Sequence, residues 1–251
     1  MMTSMDASEP ASTDEVLFAP AKLTLSLRVV GVREDGFHLI EAEMVSLDIG
    51  DDLFLGAGDD LRIVDALSGA RADLGPPEEN LVSRALDMVG QRRSVLIRKR
   101  IPAGAGLGGG SADAAAILRW AGSTDLLRAA ELGADVPFCL VGGRARVTGV
   151  GEIVDPLPFV DQMLTLWTPP LMCSTPAVYR AWDELGGPVG DNGNDLEPAA
   201  LVVEPRLAHW RDELAAVSGQ RPRLAGSGST WFVDGAHPGE GRVVVRTTPA
   251  S

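Results

Sequence analysis

Residues 101–115 read Ile-Pro-Ala-Gly-Ala-Gly-Leu-Gly-Gly-Gly-Ser-Ala-Asp-Ala-Ala, with glycines at 104, 106, 108, 109 and 110. Glycines in bulk cost chain entropy and pack nothing, so a run this dense points to a place where backbone must come close to something. The apolar run before it, Ser94 to Ile101, reads as a strand. The alanine-rich run after it, Ser111 to Trp120, reads as a helix. A strand that turns through glycines into a helix aims several N–H groups at one point and adds the positive end of the helix dipole. That is an anion cradle suited to a polyphosphate. It is no P-loop, because Gly-Lys-Ser/Thr does not follow the glycines. It is no dinucleotide fingerprint either, because no acidic residue is placed after a following strand.

Net charge narrows what such a cradle can hold. Lys and Arg number 22 against 35 Asp and Glu, a net charge of −13. That balance speaks against nucleic acid, whose binding runs on phosphate neutralisation, and against an anionic membrane surface. It leaves a local anion pocket open. The two cysteines, Cys139 and Cys173, form no CxxC and no Cys/His cluster, so no zinc site is expected and a reducing compartment fits. Residues 1–14 lack a basic and apolar leader, and no run reaches the length of a membrane span. A cytoplasmic protein is expected.

Along the chain, residues 1–15 read as a disordered extension. From Lys22 to Val29 polar and apolar residues alternate, which predicts a half-buried strand with Lys22, Thr24 and Ser26 on one face and Leu23, Leu25, Leu27 and Val29 on the other. Residues 33–36 read as a turn, and 44–49 and 61–64 as extended runs. Asn80 is placed to cap a helix over 81–89. A short helix is expected over 124–131 and strands over 144–150 and 163–167. Thr175-Pro176 reads as the start of a helix to about 185, and 195–203 and 205–217 as two more. Residues 224–233 read as strand, small-residue turn and strand, and 242–246 as a closing strand. Arg92, Arg93, Arg98, Lys99 and Arg100 read as a solvated basic stretch that could add to the field over the cradle. His209 and Trp231 read as structural. Strands and helices mix without regular βαβ alternation, so the fold class is α+β, with Pro156 and Pro158 marking the boundary between two halves.

The stretch from Pro102 to Asp113 resembles the phosphate-binding motif of the GHMP small-molecule kinases. Ala19-Pro-Ala-Lys-Leu-Thr-Leu, Arg33-Glu-Asp-Gly-Phe-His-Leu and Leu132-Gly-Ala-Asp-Val-Pro-Phe narrow the likeness. With Gly193-Asn-Asp-Leu-Glu-Pro and Gly226-Ser-Gly-Ser-Thr, they are similar to the 4-diphosphocytidyl-2-C-methyl-D-erythritol kinase branch of that superfamily. The resemblance implies a two-lobed GHMP-kinase fold with the active site between the lobes. Residues 16–155 would be the N-terminal, ATP-binding domain and 156–251 the C-terminal domain. It implies phosphoryl transfer from ATP, with Mg2+, to a hydroxyl of a cytidine diphosphate derivative of methylerythritol.

Residue by residue, the resemblance makes Asp135 the group that accepts or orients the attacking hydroxyl and Lys22 the lysine beside it. It gives the ATP phosphates to Pro102, Ala103, Gly104, Ala105, Gly106, Leu107, Gly108, Gly109, Gly110, Ser111 and Ala112. Ser111 is also its candidate Mg2+ ligand. It gives the substrate to Thr24, Phe37, His38, Thr175, Pro176 and Tyr179, with Phe37 and Tyr179 about the cytosine and His38 on its edge. The loop 226–230 would face the cradle across the site. Phe37 stands where the family usually has tyrosine, and Thr24 where it most often has asparagine. These replacements leave room for a kinase of another alcohol, mevalonate-type or sugar, though such a substrate would not need His38 and Tyr179. A non-catalytic nucleotide-binding protein is the second alternative, opposed by the joint presence of Lys22 and Asp135. Between Trp120 and Leu132, and after Thr230, the chain is shorter than the family pattern.

Overall fold

The computed structural model describes residues 15–72 and 75–250. The extension expected over 1–15 lies outside them, except for Glu15, which opens the first strand. Strands β1 (Glu15–Val32) and β2 (His38–Gly56) form a long hairpin, its turn closed by the Arg33 N–H on the Phe37 carbonyl at 2.8 Å. Then come β3 (Leu61–Asp65), α1 (Leu81–Met88), β4 (Ser94–Lys99), α2 (Gly109–Trp120) and α3 (Leu126–Leu132). Helix α4 (Val136–Val141), β5 (Arg144–Gly149) and β6 (Ile153–Pro156) end the first half. The second half holds β7 (Met163–Trp167), α5 (Thr175–Glu184), α6 (Glu197–Val203) and α7 (Leu207–Ser218). It ends with β8 (Arg223–Leu224), β9 (Trp231–Asp234) and β10 (Arg242–Thr248).

The architecture is α+β, and one sheet runs through both halves in the order β3-β4-β2-β10-β7-β9-β8, with β1 and β5 also paired to β2. Strand β10 makes the join, pairing Thr247 with Leu47 of β2 and Val244 with Thr165 of β7. Local signals behave as read. The Asn80 side chain accepts the Val82 N–H at 2.9 Å and starts α1, and Asp125 does the same for α3. Trp231 is fully buried and donates to the Leu207 carbonyl, while His209 sits on an exposed helix face 3.5 Å from Glu213. Among the described residues no helix is long and apolar enough to cross a membrane. Helix α4 and strand β6 carry no periodicity long enough to read and were not expected.

One expectation is overturned in β1. Thr24 pairs with Met44 and Ser26 with Glu43, so Leu25 is an extra, bulged residue. A bulge reverses the alternation, because side chains after it exchange faces. Lys22 and Thr24 therefore share a face with Leu27 and Val29, across from Ser46, Met44, Ala42 and Ile40. Ala21 and Leu23 lie on the other face. Both faces are buried at this point, so the strand is not half-solvated and Lys22 is not a surface lysine. Leu27 belongs to the larger core cluster, under α2 and α4. Ala21 and Leu23 belong to a second cluster with Val45, Leu47, Leu164 and Phe232. That second cluster also takes in Ile101, Ala105 and Leu107, and so anchors the glycine-rich loop.

Candidate active site

The loop is held by its alanine and leucine and shaped by its glycines. Ala105 and Leu107 are buried, while Gly104, Gly106 and Gly108 have φ of +72, +77 and +67°. No non-glycine residue among those described has positive φ, so the sign alternates along 104–108. Such alternation turns successive N–H groups toward one concavity. The carbonyls are used elsewhere: Ala105 accepts from the Thr230 N–H at 3.1 Å and Leu107 from the Lys22 N–H at 3.0 Å. Gly108 ends the loop in the left-handed conformation, and α2 begins at Gly109, two residues before the expected Ser111. The N–H groups of the first helical turn have no intrahelical acceptors and face the same concavity. Ala112 lies behind it, 1% exposed in the core, and does not line the cleft.

Lys22 runs beneath this loop. A Cβ on Gly108 would stand 2.6 Å from Lys22 Cγ and 3.0 Å from Cε, so only glycine lets the loop lie on the side chain. The ammonium reaches Asp135 Oδ2 at 3.2 Å and Thr24 Oγ1 at 3.2 Å. Thr24 thus steadies Lys22. Asp135 is the residue ahead of α4, yet its side chain makes no capping bond. It is therefore free to pair with Lys22 and to face the cleft, with a third of its surface exposed. A Cβ on Gly226, in the turn between β8 and β9, would stand 3.8 Å from the same ammonium. The loop 226–230 does face the cradle, and Asn194 holds it by donating to the Leu224 and Gly226 carbonyls at 2.9 and 2.7 Å. Behind Asp135, burial pushes the Cys139 thiol up to about 12, which leaves it unreactive.

Lys99 corrects the reading of a solvated basic stretch. It lies mostly covered under the start of α2, its side chain 11% exposed, held by Asp51 and by Asp113 at 2.8 Å. The neighbouring cations are also engaged: Arg98 lies over the Phe54 ring and Arg100 pairs with Asp52. Two carboxylates share one ammonium here. Burial, with the Lys99 charge opposing it, pushes the Asp113 carboxyl up to about 7, and its Oδ1 has no partner. Lys99 stays charged, because the two aspartates outweigh the effect of its burial. Asp113 stands inside the quoted motif, but nothing local marks Lys99 or Asp51 as its partners.

At the far end of the cleft, Thr175, Pro176, Tyr179, Arg180 and Asp183 line one stripe of α5. Thr175 Oγ1 meets Ser227 Oγ at 2.8 Å, tying α5 to the second loop. His38 reaches across from the start of β2, its ring 4.6 Å from that of Tyr179 and tilted by 34°. Phe37 is turned outward, 59% exposed, with the Arg33 guanidinium over its ring. The structure thus brings His38 and Tyr179 together and leaves Phe37 at the rim. Apart from Ala112, every expected residue lines one cleft of about 1110 Å³. That cleft is open to solvent, anion-seeking at one end and aromatic at the other, with a paired lysine and aspartate between. Such an arrangement can hold a polyphosphate and a heteroaromatic alcohol with a proton acceptor where they meet.

Comparison with known proteins meets this geometry. The family model described as GHMP kinases N terminal domain matches residues 80–143. The 4-diphosphocytidyl-2-C-methyl-D-erythritol kinase of Paramagnetospirillum magneticum is 36% identical, over 85% of this chain and 86% of its own length. That of Cereibacter sphaeroides is 38% identical, over 86% and 87%. A crystal structure of 4-(cytidine 5'-diphospho)-2C-methyl-D-erythritol kinase superposes with a TM-score of 0.71 at 30% identity, covering 93% of this chain and 99% of that one. The mevalonate kinase of Methanococcus jannaschii, at 11% identity and a TM-score of 0.58, shares the fold.

Proposed function

Because the chain belongs to the 4-diphosphocytidyl-2-C-methyl-D-erythritol kinase family, we propose that it phosphorylates that cytidine diphosphate alcohol with ATP, in the non-mevalonate route to isoprenoids. One observation carries the reading. Lys22 touches the phosphate loop at Gly108 and Leu107 and the carboxylate of Asp135 at once, so the donor and acceptor subsites meet at a single ion pair.

The reaction is an in-line transfer. An oxygen of the alcohol attacks the γ-phosphorus, the bond to the β–γ bridging oxygen breaks, and ADP leaves. Asp135 takes the hydroxyl proton on a carboxylate oxygen, or holds that hydroxyl in line. The Lys22 ammonium holds the Asp135 carboxylate in place and offsets negative charge as it spreads over the transferring oxygens. The N–H groups of the loop and of the first turn of α2 hold the phosphates and cannot swing away. His38 and Tyr179 take the base, and Thr175 and Pro176 flank it.

Mg2+ fits as a passenger of the phosphates. Among the described residues no group of three or more His, Cys, Asp or Glu is arranged to hold a metal. A Cβ on Gly133, in the turn that leads to Asp135, would stand 3.9 Å from the Ser111 hydroxyl, which offers one oxygen at the start of α2 on the carboxylate's side. A magnesium ion that keeps its waters and phosphate oxygens needs no more than one or two protein oxygens. It would supply charge neutralisation on the leaving diphosphate. The test is coupled ADP release with the cytidine diphosphate alcohol, mevalonate, homoserine and galactose. Turnover with the first alone is expected, and turnover with another in its place would overturn the reading.

A further inference from the structure

The glycine-rich loop is closed at its base by one ammonium. Asp51 is fully buried in β2, and its Oδ1 accepts the Ile101 N–H at 2.9 Å together with the Arg100 N–H. Its Oδ2 pairs with Lys99, and Lys99 in turn donates to Asp113 of α2 at 2.8 Å. One chain of contacts thus joins the backbone that enters the loop to the helix that leaves it. The two ends touch as well: a Cβ on Gly109 would stand 3.0 Å from Ile101 Cβ and 3.0 Å from the Lys99 ammonium. We propose that Lys99 is a positioning residue for ATP: by clasping Asp51 to Asp113 it fixes the start of α2 against the loop before the nucleotide arrives. The inference rests on the reading of this loop as the cradle of the ATP phosphates.

Neither attraction nor stability accounts for the arrangement. One ammonium set between two carboxylates carries no net positive charge, so attraction of phosphates is not its role. Covering three ionisable groups costs solvation that packed apolar side chains would not, and Asp113 Oδ1 is left with no hydrogen bond. What the three supply is register. Ala105 and Leu107 seat the middle of the loop in one core cluster, while Ala112 and the body of α2 pack in the other. Lys99 ties the two together where the N–H groups of the cradle pass from loop to helix. A cradle already set binds without an ordering cost, and one that must be set on binding loses that much affinity.

Two variants of Asp113 separate the clasp from its charge. Asp113→Asn and Asp113→Leu remove the same charge and leave Lys99 with Asp51, but only the asparagine keeps an oxygen for Lys99. In isothermal titration with AMP-PNP and Mg2+, Asp113→Leu should bind about tenfold more weakly than Asp113→Asn, the factor carried by one net hydrogen bond. KM for the alcohol should be the same in both. The Tm of Asp113→Leu should not fall below that of the wild type, because an unpartnered buried oxygen has gone. In the nucleotide-free protein, hydrogen exchange of the Ala112 amide, which donates to the Gly108 carbonyl at 2.8 Å, should quicken in Asp113→Leu and not in Asp113→Asn. Lys99→Met in the Asp113→Asn background opens the clasp from its middle. It should weaken AMP-PNP binding to the same degree, and it serves the same comparison should Asp113→Leu not fold. Equal affinity in the opened and closed variants overturns the proposal, as does a loss of affinity that follows Tm across the set, the mark of a purely structural role. A wild type that binds no AMP-PNP would end the reading of the loop as an ATP cradle, and the inference with it.

Discussion

Replacing Gly108 by alanine tests whether the loop holds Lys22 in working position. Two costs follow. The backbone at φ +67° is left-handed, which costs a residue with a Cβ about 1–2 kcal/mol. In a domain of this size each kcal/mol is worth about 2–4 °C in Tm. The second cost is local. The new Cβ would stand 2.6 Å from Lys22 Cγ, in a side chain 6% exposed whose ammonium is tied to Asp135 and Thr24. It must give way by about 1 Å, and a misplacement of that size costs roughly 10²-fold in rate. Gly90 supplies the control, with φ +66° and nothing within 4 Å of its Cβ position. Gly90→Ala should lose a similar Tm and keep kcat. Gly108→Ala should lose that Tm and about 10²–10³ in kcat, the range for removing one preorganised charge. Thermal unfolding and coupled ADP release measure the pair. If Gly108→Ala keeps kcat within about twofold of Gly90→Ala, the loop does not position Lys22 for the transfer step.

Asp135→Asn should lower kcat by about 10²–10⁴ with little change in KM for ATP, since the shape is kept and the proton acceptor is gone. Steady-state kinetics within about twofold of wild type would make Asp135 structural. Asp113 predicts a pH dependence. Its carboxyl, pushed up to about 7 chiefly by burial, binds its proton more tightly in the fold than in the open chain. That contribution is therefore full below about pH 4 and is lost as pH rises through about 7. Asp113→Asn, which leaves the Lys99–Asp51 pair intact, should gain Tm relative to wild type between about pH 5 and about pH 8. A constant difference across that window would refute the assignment. Tyr179→Ala should raise KM for the cytidine substrate by the equivalent of about 1–3 kcal/mol of stacking. Tyr179→Phe should be nearly silent, because the hydroxyl has no partner among the described residues. A KM untouched by Tyr179→Ala would move the base elsewhere.

What could be read from the sequence was what neighbours in the chain decide. The glycine loop, the helix after it, the Asn80 cap and the turn at 33–36 each rest on a few adjacent residues, and each stands as read but for the helix start, which comes two residues early at Gly109. The family motifs brought Lys22 and Asp135 to attention, but the reason that Lys22 is buried could not be seen. Alternation continues through Leu25 on paper, while the partner strand skips it, and pairing register is not written in one strand alone. Lys99 failed in the same way. Among four arginines it looks solvated, and its two carboxylates are 48 and 14 residues distant. His38 and Asp183 meet only because the hairpin turn and α5 close on the same cleft from opposite ends of the chain.

Gly104 and Gly106 are two positions apart in that loop, yet they leave a lineage very different room to drift. A Cβ on Gly106 would lie 2.5 Å from the Ala225 carbonyl oxygen and 2.7 Å from that of Gly228. Every amino acid carries those atoms, so no compensating mutation can clear them, and descendants of this chain are confined to glycine there. The three atoms nearest a Cβ on Gly104 all belong to the Met172 side chain, the first at 3.1 Å. Shortening residue 172 first removes that obstacle and leaves a backbone cost of about 1–2 kcal/mol. Change at 104 is thus open, since the exposed Met172 side chain need shift by only a few tenths of an ångström, and it is easier still after residue 172 shortens. Libraries that randomise the loop should return alanine at 104, more often together with a small residue at 172, and never at 106.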